Sequence, residues 1–301
     1  MENKYKLVES KKTVNGKKLF QVVAIKNFGD VKNGDKGGYV ESERNLNQTG
    51  DCWISGDAKV SGDARVSGNA EVSGNAIVYG NAVVFGNAKV SENCWISGDA
   101  KVFGDAKVFG NAIVSRNAEV YEKAEVSGYA IVFDNAQIFG SAIVTEKAKV
   151  SENAVVSENA RIFGNAIVTE KAKVSGDAVV SGNAQIFGNA KVSENAVVSE
   201  NARIFGSAIV TEKAKVSENA KVSENAVVFG NAKVSGYAKI FRDARIFGSA
   251  IVTENAEVSG YAQVFENAVI SENAKVSGYA KVSGNEVVSG NKEIFGNDRI
   301  K

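Results

Sequence analysis

The chain has 301 residues, with 36 Lys and Arg against 35 Asp and Glu, for a net charge of +1. Charges of both signs are interspersed, so there is no basic stripe of the kind that nucleic-acid binding requires, and no run of 18 apolar residues is present to cross a membrane. Histidine and proline are both absent. The first absence removes the commonest general base and metal ligand; the second leaves nothing to delete a ladder hydrogen bond.

The N-terminal segment, residues 1–48, reads as a small β cap. Its opening, MENKYKLVESKKTVNGKK, lacks the apolar core of a secretory signal, so the expected location is cytoplasmic, with a phage or surface context reached by another route left open. Strand-like Tyr5-Lys6-Leu7-Val8 is followed by Thr13-Val14, the hairpin signal Asn15-Gly16, and the apolar run Leu19-Phe20-Gln21-Val22-Val23-Ala24-Ile25. A polar loop rich in glycine, Gly29 to Gly38, comes next. Its Gly29-Asp30-Val31-Lys32-Asn33-Gly34-Asp35-Lys36 has the glycine spacing of a phosphate loop, but Asp35 stands where the lysine is needed.

From Thr49 to Ile300 a six-residue sentence repeats without interruption: Ser, Phe, Tyr or Thr, then usually Gly or Glu, then usually Asn or Asp, then Ala, a variable residue, and Val or Ile. SGDAKV at 55–60 and SENAVV at 193–198 are typical copies. The stretch divides into 42 hexads, or 14 units of 18 residues. Ala and the aliphatic residue are two apart, the spacing that puts side chains on one face of a strand. The residue between them is polar or apolar at will and points outward. Gly, Asn and Asp in the other three positions tolerate positive φ and make corners.

A short strand and a sharp corner every six residues must coil. Three hexads per turn give a triangular parallel β-helix of about 14 coils, whose interior receives three Ala and three Val or Ile per coil; at about 4.8 Å between strands it runs roughly 65 Å. This hexad, with an aliphatic residue followed four places later by a small one (Val60 and Ala64, Val66 and Ala70, Val72 and Ala76), resembles that of left-handed β-helix proteins, which implies the left-handed course. Right-handed triangular solenoids such as bactofilins are the alternative, because parallel crossovers are normally right-handed. The organisation expected is therefore an N-terminal β cap over 1–48 and a hexapeptide-repeat β-helix over 49–301.

A second resemblance lies in the leader. Phe20-Gln21-Val22-Val23-Ala24, Asn27-Phe28-Gly29-Asp30-Val31-Lys32, Gly37-Gly38-Tyr39-Val40, Asn45-Leu46 and Gly50-Asp51-Cys52-Trp53-Ile54 look like the N-terminal leader of YdcK-like bacterial hexapeptide-repeat proteins. That resemblance implies a left-handed β-helix following the leader and a transferase-like superfold, with no settled activity to transfer.

The two cysteines, Cys52 and Cys94, occupy the inward small position of twin segments seven hexads apart. They fall on different faces, too far apart for a disulfide, and read as buried, inert thiols. Corner aspartates such as Asp57, Asp63, Asp99 and Asp105 alternate with Asn and miss the nonapeptide calcium pattern. Thr145, Thr169, Thr211 and Thr253 are too sparse and too close to corners for an ice-binding face. Residues 151–174 recur almost unchanged at 193–216; a shift of seven hexads rotates the outward side chains by one face, so the copying preserved the hexad and not the face.

Three candidate sites remain, none of them catalytic, cofactor-binding or metal-binding. Glu286, Lys292 and Asp298 replace the inward Ala of the last three hexads; charges are intolerable in a dry core but suit an open mouth, where Lys292 can sit between two carboxylates as a polar plug against end-to-end growth. Phe247 and Phe265, and Ile251, Val269 and Val287, are spaced by 18 and form an outward apolar ridge, a lateral contact site or a self-stacking ladder. Tyr261 and Tyr279 stack at a corner. The third is the non-repetitive surface of residues 1–48.

These features point to a non-enzymatic structural or interaction protein, a capped β-solenoid acting as scaffold, spacer or display surface, without cofactor, nucleic acid or membrane. Its partner is a protein of unknown identity or another copy of itself, a trimer included. One alternative is a hexapeptide-repeat acyltransferase-like protein, active or degenerate, which the lack of histidine and of loops inserted between hexads opposes. A further alternative is a self-associating filament or adhesin.

Overall fold

A computed structural model describes residues 3–14 and 16–301. Asn15, half of the hairpin signal, lies outside the described residues. The chain divides into two compact units, Met1–Lys147 and Ala148–Lys301. Both are all-β, built from parallel sheets in 18-residue coils, and the only helix among the described residues is a single 3-10 turn, Glu43–Asn45.

The first unit opens with three longer strands, β1 (Tyr5–Val14), β2 (Lys17–Ala24) and β3 (Lys36–Val40). Strands β1 and β2 pair antiparallel, Tyr5 opposite Ala24 and Glu9 opposite Phe20, with a register shift before Thr13 meets Lys18. Strand β3 lies antiparallel to β2, with Phe20 opposite Val40, while its other edge runs parallel to Lys59–Val60. Thus β3 converts an antiparallel cap into a parallel coil. Leu46 continues the change by pairing in parallel with Val66, so stacking begins inside the N-terminal segment. Gly37 and Gly38 make this possible: a Cβ on Gly38 would lie 2.6 Å from the Ala58 carbonyl oxygen and one on Gly37 2.5 Å from that of Ile54.

Beyond the cap, each unit repeats one step. In the first, two-residue strands such as Lys59–Val60, Ile77–Val78 and Trp95–Ile96 stack on one face, each pairing with the strand 18 residues later. In the second, Arg203–Ile204, Lys221–Val222 and Lys239–Ile240 do the same. Inside, the expected pattern holds without exception: from Ala58 to Val282 the Ala and Val or Ile positions, with Cys94 in one Ala place, are fully buried or within 1% of it. Each buried aliphatic side chain contributes about 1.5–3 kcal/mol.

The backbone accounting explains why six residues suffice. The fifth residue donates to the carbonyl of the fourth in the following coil (Lys59 to Ala76, 2.9 Å), the first to the sixth (Ser61 to Val78, 3.0 Å) and the third to the second (Asn75 to Glu92, 2.7 Å). Many fourth residues close their own corner, as Ala70 does on Ser67 at 3.3 Å. Positive φ falls on the second residue of the hexad alone. Glycine takes this place often, but Glu takes it in 14 of 17 non-glycine cases, among them Glu122, Glu158, Glu218, Glu254 and Glu266, at φ near 60°. Asn and Asp in the third place do not share this conformation, contrary to the sequence expectation; their side chains have another task.

Candidate functional site

Corners carry the side-chain order. Asn side chains at the third position donate amide to carbonyl, coil after coil, as in Asn165 to Asn183 to Asn201 to Asn219 in the second unit (3.0, 3.0 and 3.4 Å) and Asn69 to Asn87 to Asp105 in the first (3.1 and 2.9 Å). The donor always belongs to the earlier coil. A carboxylate only accepts, and Asp accordingly ends such a run, as at Asp99, Asp105, Asp177 and Asp243. Asp99, Asp105, Asp177 and Asp243 are thus ladder ends, while Asp57 meets Lys12 at 3.2 Å; among the described residues no group of three or more His, Cys, Asp or Glu is placed to hold a metal ion.

Corner glutamates have a different role. A non-glycine residue in the left-handed region costs about 1 kcal/mol, and the same side chain returns a hydrogen bond: Glu122, Glu158, Glu218 and Glu266 each accept from the backbone N–H of the glycine 18 residues on, at 2.6–2.9 Å. Glu254 does so for Glu272 at 2.7 Å. These carboxylates satisfy the one corner amide that the coil-to-coil pattern leaves over. Sequence reasoning missed this, although the Gly/Glu alternation at a fixed place was its signal.

First-position aromatics stack. Phe85, Phe103, Tyr121 and Phe139 form one column with centroids 4.7–4.9 Å apart, and burial raises the Tyr121 phenol pKa. In the second unit Phe229, Phe247 and Phe265 stack at 4.9 Å, and, in the third position, Tyr261 and Tyr279 at 5.0 Å. Ile251, Val269 and Val287 pair in register beside them. Of the five residues read as an apolar ridge, only Val287, at 56% exposure, is open to solvent; the others are half-buried by their neighbours. The four corner threonines hydrogen-bond to Ser127, Ser151, Ser193 and Ser235 at 2.9–3.0 Å.

The N-terminal end is closed by buried polar groups. Lys4 is 1% exposed; its ammonium donates to the carbonyls of Gly50 (2.9 Å) and Cys52 (2.8 Å), lies 3.2 Å from the Cys52 sulfur, and sits 4.8 Å from the centre of the Phe28 ring. The Tyr5 hydroxyl donates to the Leu46 carbonyl at 2.5 Å, and burial pushes its phenol pKa up. Asn45, fully buried, donates to Gly62 and Ala64 and accepts from Ser42, all at 2.9 Å. In the glycine-rich loop Asp35 accepts from the backbone of Lys32 at 2.8 Å, so the segment with phosphate-loop spacing folds on itself. Both cysteines are buried and free, and burial pushes the Cys94 thiol up to about 12.

The last coil is open. Glu286 is half-buried, Lys292 and Asp298 are exposed, and none of the ion pairs among the described residues involves them. The expected position of Lys292 between two carboxylates is not adopted. Ile294 and Ile300, inward in sequence, are half-exposed here, and Phe295 is 63% exposed.

Outward fifth positions hold a feature the sequence reading passed over. Some cations in these columns stack on an acid, as Lys89 on Glu71 and Lys101 on Glu119, and others on a single further cation, as Lys173 on Lys191 and Lys215 on Lys233. Arg203, Lys221 and Lys239 instead follow one another directly, Arg203 opposite Lys221 and Lys221 opposite Lys239. Asn183, Gln185, Asn201, Asn219 and Tyr237 line an open groove of about 390 Å³ with Arg203 and Lys221. Reading every eighteenth letter would have found it.

The chain is a β-solenoid repeat protein. The YdcK β-solenoid repeat model matches residues 70–86 and 184–200, one stretch in each unit, so the chain carries that repeat. No curated protein matches it. Solved structures similar to it include one described as "putative acetyltransferase from Desulfovibrio desulfuricans G20", at 15% identity over 81% of this chain and 66% of that one, with a TM-score of 0.27. Another is the Arabidopsis UDP-N-acetylglucosamine acyltransferase, at 16% identity over 65% of this chain and 66% of that one, with a TM-score of 0.22. The alignments span just under two thirds of those chains. At these scores the likenesses carry no argument about activity.

Proposed function

We propose that this protein is a non-enzymatic scaffold, spacer or display surface, acting through its repeating surface rather than through chemistry. The observation that carries the reading is the unbroken step: from Trp53–Ile54 to Arg299–Ile300 a two-residue strand begins every six residues, with no inserted loop to form a substrate cleft. The chemistry of the chain agrees, since no histidine is present to act as base for acyl transfer. Corner carboxylates such as Glu218 accept from a backbone amide, here that of Gly236, which ties them to the structure.

In this reading the polar last coil, Glu286, Lys292 and Asp298, limits end-to-end growth by placing charge where another copy would need a dry apolar mouth. Isothermal titration with acetyl-CoA tests the main claim: no heat of binding is expected, and saturable binding would replace it with the acyltransferase reading. Electron micrographs of the triple alanine variant at rising concentration test the end block, with end-to-end particles expected and an unchanged field of single particles counting against it.

A further inference from the structure

The second unit carries two charge columns on neighbouring positions of the same five hexads. Along the corner run Glu200, Glu218, Gly236, Glu254 and Glu272, the four glutamates exposed and Gly236 buried. This acidic column reads the same in both directions about Gly236. Three residues later in the same hexads, along the bordering face, run Arg203, Lys221, Lys239, Glu257 and Lys275, paired in register from each coil to the next. Arg203, Lys221 and Lys275 are exposed. Like charges directly opposite one another on a sheet are destabilising, and Arg203 and Lys221 have no acid above or below them in their column.

We propose that this face binds a second copy of the chain, antiparallel, about a two-fold axis through the hexad 235–240. Such an axis reverses coil order and exchanges the columns. Arg203 then meets the second copy's Glu272, Lys221 its Glu254 and Lys275 its Glu200, and each pair occurs twice because the contact is isologous. The single mismatch sets Glu257 against Glu218, and Lys239 of the same chain, 2.8 Å from Glu257, offsets it. Both columns rise by the same step, since rings 18 residues apart in this unit stack at 4.9–5.0 Å, so every coil falls into register once one does. Tyr237, 64% exposed, stands on the axial hexad as the aromatic such a contact would cover. Charge complementarity selects a second copy as occupant: the acid column that matches the cations belongs to the chain itself, and a net charge of +1 gives little long-range pull on a polyanion.

Exposed ion pairs are individually weak and screened by salt, so the dimer is salt-sensitive. Sedimentation equilibrium on the whole chain should give twice the monomer mass at low ionic strength and the monomer mass in high salt. Arg203→Glu with Lys221→Glu sets like charges together four times per dimer and should raise the dissociation constant about a hundredfold; adding Glu254→Lys and Glu272→Lys should restore it, which a fold defect would not allow. Ile251→Ser, Val269→Ser and Val287→Ser together should leave the dimer intact. A wild-type chain that stays monomeric at low salt overturns the proposal. So does a dimer indifferent to the charge reversals, a dimer lost only in the serine variant, or a monomer retained on a heparin column through Arg203 and Lys221.

Discussion

The first and last coils of this protein answer the same problem, a polar group in an apolar column, in opposite ways. In the first, Lys4, Tyr5 and Asn45 are almost wholly buried, and their polar atoms reach carbonyls, a sulfur or an amide at hydrogen-bond distance. In the last, Glu286, Lys292 and Asp298 occupy the places Ala holds elsewhere and have no ion-pair partner, because solvent reaches them. A polar side chain is tolerated within the coil column if its hydrogen bonds are complete or if water completes them, and between the two ends neither condition is met.

The sharpest way to break that contrast is to move a charge inward. Ala196→Glu, in a fully buried position of the second unit, should cost about 4 kcal/mol or more at neutral pH, read as a fall in the urea midpoint; the reverse change in the last coil, Glu286→Ala, should cost nothing. Next in size is Asn45→Leu, which strands the Gly62 and Ala64 carbonyls and the Ser42 amide and should cost about 3 kcal/mol. An equal loss in Asn291→Leu of the last coil would refute the distinction.

Glycines sharpen it further. Gly38→Ala drives a Cβ to 2.6 Å from both the Ala58 oxygen and an Ile54 methyl, whereas one on Gly296 meets nothing within 4 Å. Gly38→Ala should therefore lose about 2–3 kcal/mol, and Gly296→Ala only the cost of its φ of 64°, about 1 kcal/mol. The smallest effect is a pH dependence confined to the first coils. Glu41 accepts from Lys17 at 2.8 Å and from the Gly62 amide at 2.7 Å, which together hold its carboxyl below the ordinary 4.5. A depressed folded pKa gives stability that is present above the unfolded value and lost as pH falls through the folded one. Glu41→Gln should lower the melting temperature slightly at neutrality, where the carboxylate's contribution is present, and flatten the acid limb below about pH 4.5 so that variant and wild type converge there, as thermal melts across that range would record.

Most of the coil was legible because its signal is local and periodic. Ala and Val or Ile two apart specify an inward face, and their burial from Ala58 to Val282 follows directly. The stacking of Phe247 on Phe265 was equally visible once 18 was known to be a turn. What escaped was whatever depends on three-dimensional neighbours. Nothing in the letters around Lys4 announces that it will enclose its ammonium against Cys52, 48 residues away, and the early start of parallel pairing at Tyr39–Val40 rests on Gly37 and Gly38 in a segment without the hexad. Glu in a left-handed corner contradicts local preference, and at Glu122, Glu158, Glu218, Glu254 and Glu266 a bond to the next coil's amide offsets that cost.

The direction of the asparagine ladders has a consequence for ageing. Each amide hands its hydrogen to the following coil, and the chain ends wherever an aspartate stands, as at Asp177. Slow hydrolysis of a side-chain amide turns Asn into Asp without any change in the gene. Were that to happen at Asn201, the bond from Asn183 would survive and the one to Asn219 would vanish, so the lesion would cut its ladder on one side only, leaving a chemically dated break within an otherwise unaltered coil.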